Sequence, residues 1–194
     1  MSPITSTLAN GSAYGYRTLA AAAAGSYESI ATVTSSGGVA TLSFTSIPST
    51  YVALQIRGSN LQSENGTTGT YGFGLSFNSD SGANYTYHSL VGDGATASSA
   101  GSVAGTPYQP IARYTRNSET AKGAVIFDIH NYASTTQNKT VRGFGGCDMN
   151  GAGYLYGGSS LLWLSTSAIT SITFGGNGNW KTGSTFSLYG IKGA

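Results

Sequence analysis

From Tyr27 onward the chain alternates apolar with small or polar residues at a period of two, in short runs cut by Gly, Ser, Asn and Pro. Successive side chains of a strand point to opposite faces, so this pattern gives each run one buried face and one solvated face. Helical periodicity is nearly absent. In "GVATLSF" the residues Ala40, Leu42 and Phe44 share a face, and in "YVALQIRG" Val52, Leu54 and Ile56 do. In "YGFGLSFN" Tyr71, Phe73, Leu75 and Phe77 alternate with Gly72, Gly74 and Ser76, giving one aromatic face and one nearly bare. The pattern returns at Val125, Phe127 and Ile129, at Ile172 and Phe174, at Phe186 and Leu188, and more densely from Leu161 to Leu164 around Trp163. Roughly nine to eleven short strands at close spacing predict an all-β fold, an antiparallel β-sandwich that is jelly-roll-like.

A chain of 194 residues is long enough for one substantial core and too short for a second. Only 8% of residues are charged, against about 25% in an ordinary soluble domain. The surface must therefore be hydroxyl, amide and backbone. With 39% hydrophobic residues and 13 tyrosines the chain still buries enough to offset its ordering entropy. A net charge of +2 from nine scattered cations cannot supply a track of phosphate contacts, so nucleic acid is not an expected partner. No window reaches the roughly twenty apolar residues of a membrane span. Cys147 is the single cysteine, so no disulfide closes within the chain.

Residues 1–25 stand outside the strand pattern. The run from Leu19 to Ala24 is shorter than the ~7–15 residues of a signal-peptide core and follows a polar leader, "SPITSTLANGS". Five alanines are too few to hold a helix in water. The expectation is an extended N-terminal arm over 1–25, ordered by a partner, and one sandwich domain over 26–194.

The segments between strands offer little chemistry. "VGDGATASSAGSVAGTPYQP", Val91 to Pro110, reads as a long Gly/Ala/Ser loop. The glycine-dense Gly143–Gly158 lacks the Gly-Lys-Ser/Thr close of a phosphate loop and reads as hairpin turns and close sheet packing. Asp128 and His130 share a strand face, as an acid–base pair would, but no third member accompanies them, and a solvated face bearing Asp128, His130 and Tyr132 explains them equally. "GGSSL" around Ser159 lacks the Gly-x-Ser-x-Gly elbow of a serine hydrolase. His88 has no partner at metal-ligand spacing, and Asn78, Asp80 and Asp93 are oxygen donors in turns rather than a calcium loop. No catalytic residue, metal ligand or cofactor site is assigned. Tyr85, Tyr87 and Trp180 are candidates for an exposed aromatic platform, suited to stacking on sugar rings or to a subunit interface.

"SYESIATVTSSGG", "FTSIPSTYVALQIRG", "LSFNSDSGANYTYHSLVGDG", "WLSTSAITSITF" and the closing "STFSLYGIKGA" resemble small virion proteins of tailed bacteriophages, especially those of cyanobacteria and marine bacteria. The likeness covers Ser26 to Ala194, with the blocks in family order. The glycines of "TYGFGLSF" and the alanine-rich leader depart from it. The resemblance implies a non-enzymatic β-sandwich building block on the virion exterior, made in the host cytoplasm without a signal peptide. It implies partnership with other copies, as a homotrimer, and with phage capsid or tail proteins. A head decoration or cement protein would hold its neighbour through arm residues Tyr14, Tyr16, Arg17 and Leu19, with Arg17 offering a directed hydrogen-bonding fork. The alternative is a tail-fibre or tail-tip domain that binds host surface polysaccharide.

Overall fold

The computed structural model describes residues 26–149 and 153–193. Among them the secondary structure is strand and turn, without a helix. The first six strands are β1 (Tyr27–Thr34), β2 (Val39–Phe44), β3 (Ala53–Leu61), β4 (Thr70–Phe77), β5 (Tyr85–Gly92) and β6 (Ala97–Gly105). β7 (Ala112–Thr115), β8 (Gly123–His130), β9 (Lys139–Asp148), β10 (Gly153–Trp163), β11 (Ile172–Trp180) and β12 (Thr185–Ile191) follow. They form an eight-stranded sheet in the order β1-β12-β3-β8-β9-β10-β5-β6 and a four-stranded sheet in the order β2-β11-β4-β7, with antiparallel neighbours throughout.

Setting aside β5, β6, β9 and β10 leaves eight strands paired first-last-third-sixth in one sheet and second-seventh-fourth-fifth in the other. That is the double Greek-key order of a jelly roll. The two remaining hairpins are insertions, β5–β6 in the connection from β4 to β7 and β9–β10 in the connection from β8 to β11. Both join the same sheet and pair with each other through β10 and β5, which makes that sheet twice as wide as its partner.

The core lies between the sheets, on the inward face that the alternation predicts. Leu54, Ile56, Phe73, Leu75, Phe77, Phe127, Ile129, Ile172, Phe174, Phe186 and Leu188 are all fully buried. Phe73 sits at its centre, edge-on to Tyr114, Phe127, Trp180 and Phe186 with ring centroids 5.3–6.2 Å away. Edge-to-face rings add to what their burial already contributes. Gly74 clears the way for the segment after β6, since a Cβ there would stand 2.0 Å from the Gln109 carbonyl oxygen.

Charge enters the interior under strict terms. Lys139 is fully buried, and its ammonium donates to the carbonyls of Gln137 and Thr166, the second at 3.1 Å. A buried cation without such acceptors would be costly. Gln62 closes one end of the sandwich, donating to the carbonyls of Arg116 at 2.8 Å and Glu119 at 2.7 Å while its own carbonyl accepts from Lys122.

Four sequence expectations change. Val91–Pro110 is not one long loop, because Ala97–Gly105 forms β6 against β5. As an edge strand of mostly exposed small residues it packs neither face, so it carries no apolar alternation to read. The strand number is accordingly twelve among the described residues. Tyr132 does not continue the face of Asp128 and His130: β8 ends at His130, Asn131 takes a positive φ of 54°, and the turned chain buries Tyr132. Its hydroxyl donates to the Pro48 carbonyl and accepts from the Tyr51 amide. Val52 precedes β3 in a bend and stays 57% exposed rather than joining Leu54 and Ile56.

Candidate functional site

The inward face of the wide sheet is consumed by the core, so function must use its outer face, its edges or its loops. Register places the outer face residue by residue. One row crosses the sheet as Tyr189, Gln55, Asp128, Arg142, Ser160, His88 and Gly101, from β12 to β6. The next row, two residues along each strand, holds Arg57, Ile126 and Phe144 and then, past a bulge in β10, Gly158, Leu90 and Ser99.

The first row is polar and interlocked. The Gln55 amide donates to Asp128 Oδ1 at 2.9 Å, Arg57 Nε donates to Gln55 Oε1 at 2.9 Å, and Arg142 Nη2 pairs with Asp128 Oδ2 at 3.1 Å. The Arg57 guanidinium also lies over the rings of Tyr189 at 5.2 Å and Tyr27 at 5.8 Å. Gln55 and Arg57 are thereby oriented by their partners, while Arg142, 69% exposed, is tethered at one end. Beyond Arg57 the second row turns apolar and open: Phe144 is 55%, Leu90 56% and Ile126 42% exposed, with Ser99 at its far end.

Between β10, β5 and β6 the face sinks into an open depression of about 620 Å³, lined by His88, Leu90, Ser99, Gly101, Gly158 and Ser160 and their strand neighbours. Two absent side chains make it. A Cβ on Gly158 would meet nothing within 4 Å, while one on Gly101 would stand 2.9 Å from His88 Cδ2. The lining carries hydroxyls, an imidazole, backbone and one leucine, with neither carboxylate nor cation.

The expected aromatic platform is not assembled. Tyr85 and Trp180 are fully buried, and Tyr87 is half-buried against the core. The Tyr85 hydroxyl accepts from the Phe77 amide at 3.1 Å and donates to the Asp80 carbonyl at 3.2 Å. Burial, with the Asp80 charge adding to it, pushes this phenol up to about 12. Trp180 is wedged among Phe73, Tyr114 and Phe186. Among the described residues the exposed rings on the outer face are Tyr27 and Phe144, which lie elsewhere in the chain. Strand parity alone gives a signal for Phe144: Val141, Gly143, Gly145 and Cys147 are buried, which leaves Arg142 and Phe144 outward.

Asp128 and His130 point outward together, but Asp128 is committed to Gln55 and Arg142. The turn donors serve the backbone. Asp93 Oδ1 accepts from the amides of Ala95 and Thr96, and Asn78 Oδ1 from those of Thr170 and Ser171. Asp80 accepts from the Gly82 amide and from Trp163 Nε1 at 2.6 Å, and the indole bond first of all holds its carboxyl below the usual range. Among the described residues no three of His, Cys, Asp and Glu converge as a metal site would require. Tyr14, Tyr16, Arg17 and Leu19 lie outside the described residues.

β6 presents a second kind of surface. It is a nine-residue edge strand, "ASSAGSVAG", with no charge and no proline; Val103 stands 78% exposed on it, and its ladder with β5 is regular from Ala97 to Ser102, with a bulge only at the far end, where Ala104 takes a positive φ of 50°. The other edges are guarded: β1 carries Glu28 and a bulge, β2 is six residues long, and β7 is four residues long and carries Arg113. An unguarded edge is a template for pairing with another chain. No family model matches the sequence, and neither does a curated protein or a solved structure.

Proposed function

We propose that the chain is a structural protein of a phage virion, an exterior head decoration or cement protein that joins copies of itself, as a trimer, and attaches through residues 1–25. The observation that carries this reading is the uncharged, proline-free edge of β6, regularly paired from Ala97 to Ser102, on a jelly roll whose wide sheet also leaves Ile126, Phe144 and Leu90 open. A freely diffusing domain normally blunts such an edge with a charge or a proline along its length. A repeating assembly uses it, since backbone pairing and a modest apolar contact are multiplied over many copies. The likeness to small phage virion proteins and the sparse charge, which suits dense packing of copies, point the same way.

The edge predicts an outcome. The double substitution Ser98→Lys/Val103→Lys places two like charges on a strand that pairs with another molecule, at exposed positions of this chain. Light scattering after size exclusion is expected to show the native protein as a multimer and the variant at monomer mass. Unfolding midpoints within ~2 °C of each other would confirm an intact fold. A native monomer, or a variant that keeps the multimer, sinks the edge.

The arm predicts another. Without residues 1–25 the protein is expected to lose at least tenfold in co-sedimentation with particles while the domain keeps its unfolding midpoint; undiminished incorporation refutes attachment through the arm. Densitometry of purified particles decides between head and tail, since a cement protein is present in hundreds of copies and a tail-fibre or tail-tip domain in few.

A further inference from the structure

We propose that the depression between β10, β5 and β6, with the polar row beside it, is a binding site for a neutral oligosaccharide. The site differs from the aromatic platform expected around Tyr85 and Trp180, and it leaves the β6 edge free for pairing.

Its chemistry selects the ligand class. A volume of about 620 Å³ falls within the range of small-molecule sites, roughly 300–1,000 Å³. The lining offers Ser99 and Ser160 hydroxyls and the His88 imidazole, each able to donate or accept, and the exposed side chain of Leu90. No carboxylate, lysine or arginine lines the depression, and the charged groups in the row beside it, Arg142 and Asp128, are paired with each other at 3.1 Å. A ring bearing several hydroxyls and an apolar C–H face uses every group present. An apolar ligand would leave the hydroxyls and the imidazole unpaired, at a cost.

The site extends along the sheet. From His88 the polar row runs through Ser160, Arg142 and Asp128 to Gln55, across five strands. At ~4.8 Å per strand that is about 19 Å, the reach of a short sugar chain rather than a single ring. Arg142, Asp128 and Gln55 already fix one another, so their remaining lone pairs and N–H groups face solvent in set directions. Planar groups held this way match the paired acceptors and donors of neighbouring hydroxyls at little ordering cost. Phe144, 55% exposed on β9, the strand that pairs with β10, offers a ring outside the depression on which a sugar face can stack.

Gly101 matters at one point. Any side chain there would strike His88, so this glycine is what lets the imidazole lie against β6. Gly158 has the opposite character. Its φ lies outside the left-handed range and its Cβ direction is empty, so a large residue there fills the depression without displacing the protein.

The experiment uses the full chain on an array carrying dextran-, laminarin- and mannan-derived oligomers of two to six units, beside sulfated and uronate-containing counterparts. A neutral oligomer is expected to be retained, and calorimetric titration with that oligomer should give a Kd raised at least tenfold by His88→Ala and by Gly158→Phe. Both variants should keep the native unfolding midpoint within ~2 °C; should Gly158→Phe fail to fold, His88→Ala alone carries the test. Retention of acidic oligomers only, of no oligomer, or of the neutral oligomer unchanged by His88→Ala overturns the proposal. So does a change of oligomeric mass in place of a change in sugar affinity, which would make this face a protein interface.

Discussion

Trp180→Ala is expected to cost about 3–5 kcal/mol of folding stability, the usual range for removing a buried tryptophan side chain. Trp180 is fully buried at the end of β11, where its ring stacks on Tyr114 at 4.7 Å and meets Phe73 at 5.3 Å and Phe186 at 5.2 Å. These neighbours come from β7, β4 and β12, so the indole joins both sheets. Its backbone carbonyl also accepts from Ser35 Oγ at 3.1 Å, tying in the turn that leads to β2. Against a typical total of about 5–15 kcal/mol, the loss brings the domain close to unfolding at ambient temperature. Trp180→Phe should cost well under half as much, because the indole Nε1 is buried without a hydrogen-bond partner and phenylalanine gives up no bond. Urea denaturation of the three proteins measures both differences. An alanine variant within ~1 kcal/mol of the native protein would contradict the placement of Trp180 in the core. The variant is for the same reason unusable as a control for surface binding.

That misplacement shows where the alternation is informative and where it stops. Parity with Val91 puts Tyr85 inward. Trp180 is not reached by parity, because the ladder of β11 with β2 slips between Gly175 and Trp180 and Gly176, in phase with Phe174, is exposed. The inward face is therefore legible wherever a strand pairs without a slip in register. The outer face is not legible to that degree. That Phe144 stands beside Ile126, or that Asp128 meets both Gln55 and Arg142, depends on the registers of two different ladders, which no single strand encodes. The depression is more remote still. It exists because β10 and β5, from separate hairpin insertions, become neighbours and bring Gly158 opposite Leu90. β6 escaped notice for the complementary reason: an edge strand is defined by what it pairs with, and its composition is that of a loop.

Raising the pH from 10 to 12 is expected to remove about 4 kcal/mol of stability, and two buried phenols are responsible. Tyr85 and Tyr114 are both fully buried, and burial first of all pushes each up to about 12 from an ordinary value of 10.0. Each is hydrogen-bonded as a neutral phenol, Tyr85 to the Asp80 carbonyl and Tyr114 to the Gly178 carbonyl at 3.1 Å. In the unfolded chain both ionise near pH 10. The folded state therefore holds more protons than the unfolded state between 10 and 12, and stability, complete below 10, falls throughout that window. Two units of difference correspond to about 2.7 kcal/mol for each group over the whole titration, of which about 1.9 kcal/mol falls between pH 10 and 12. Tyr132, also raised by burial, acts in the same direction. Burial lowers Lys122 and Lys139, whose contribution is lost as pH falls through their folded values and is complete above 10.5. The lysines thus give no further gain in the upper part of the window to offset the phenols. Absorbance at 295 nm should show a late-ionising group of tyrosines that appears only as far-UV circular dichroism reports unfolding. Tyr114→Phe should lower the stability at neutral pH by the value of one hydrogen bond, about 1 kcal/mol, and roughly halve the slope above pH 10. A stability that stays flat from pH 9 to 12, or a fold that survives ionisation of every tyrosine near pH 10, would show that neither phenol is held dry between the sheets.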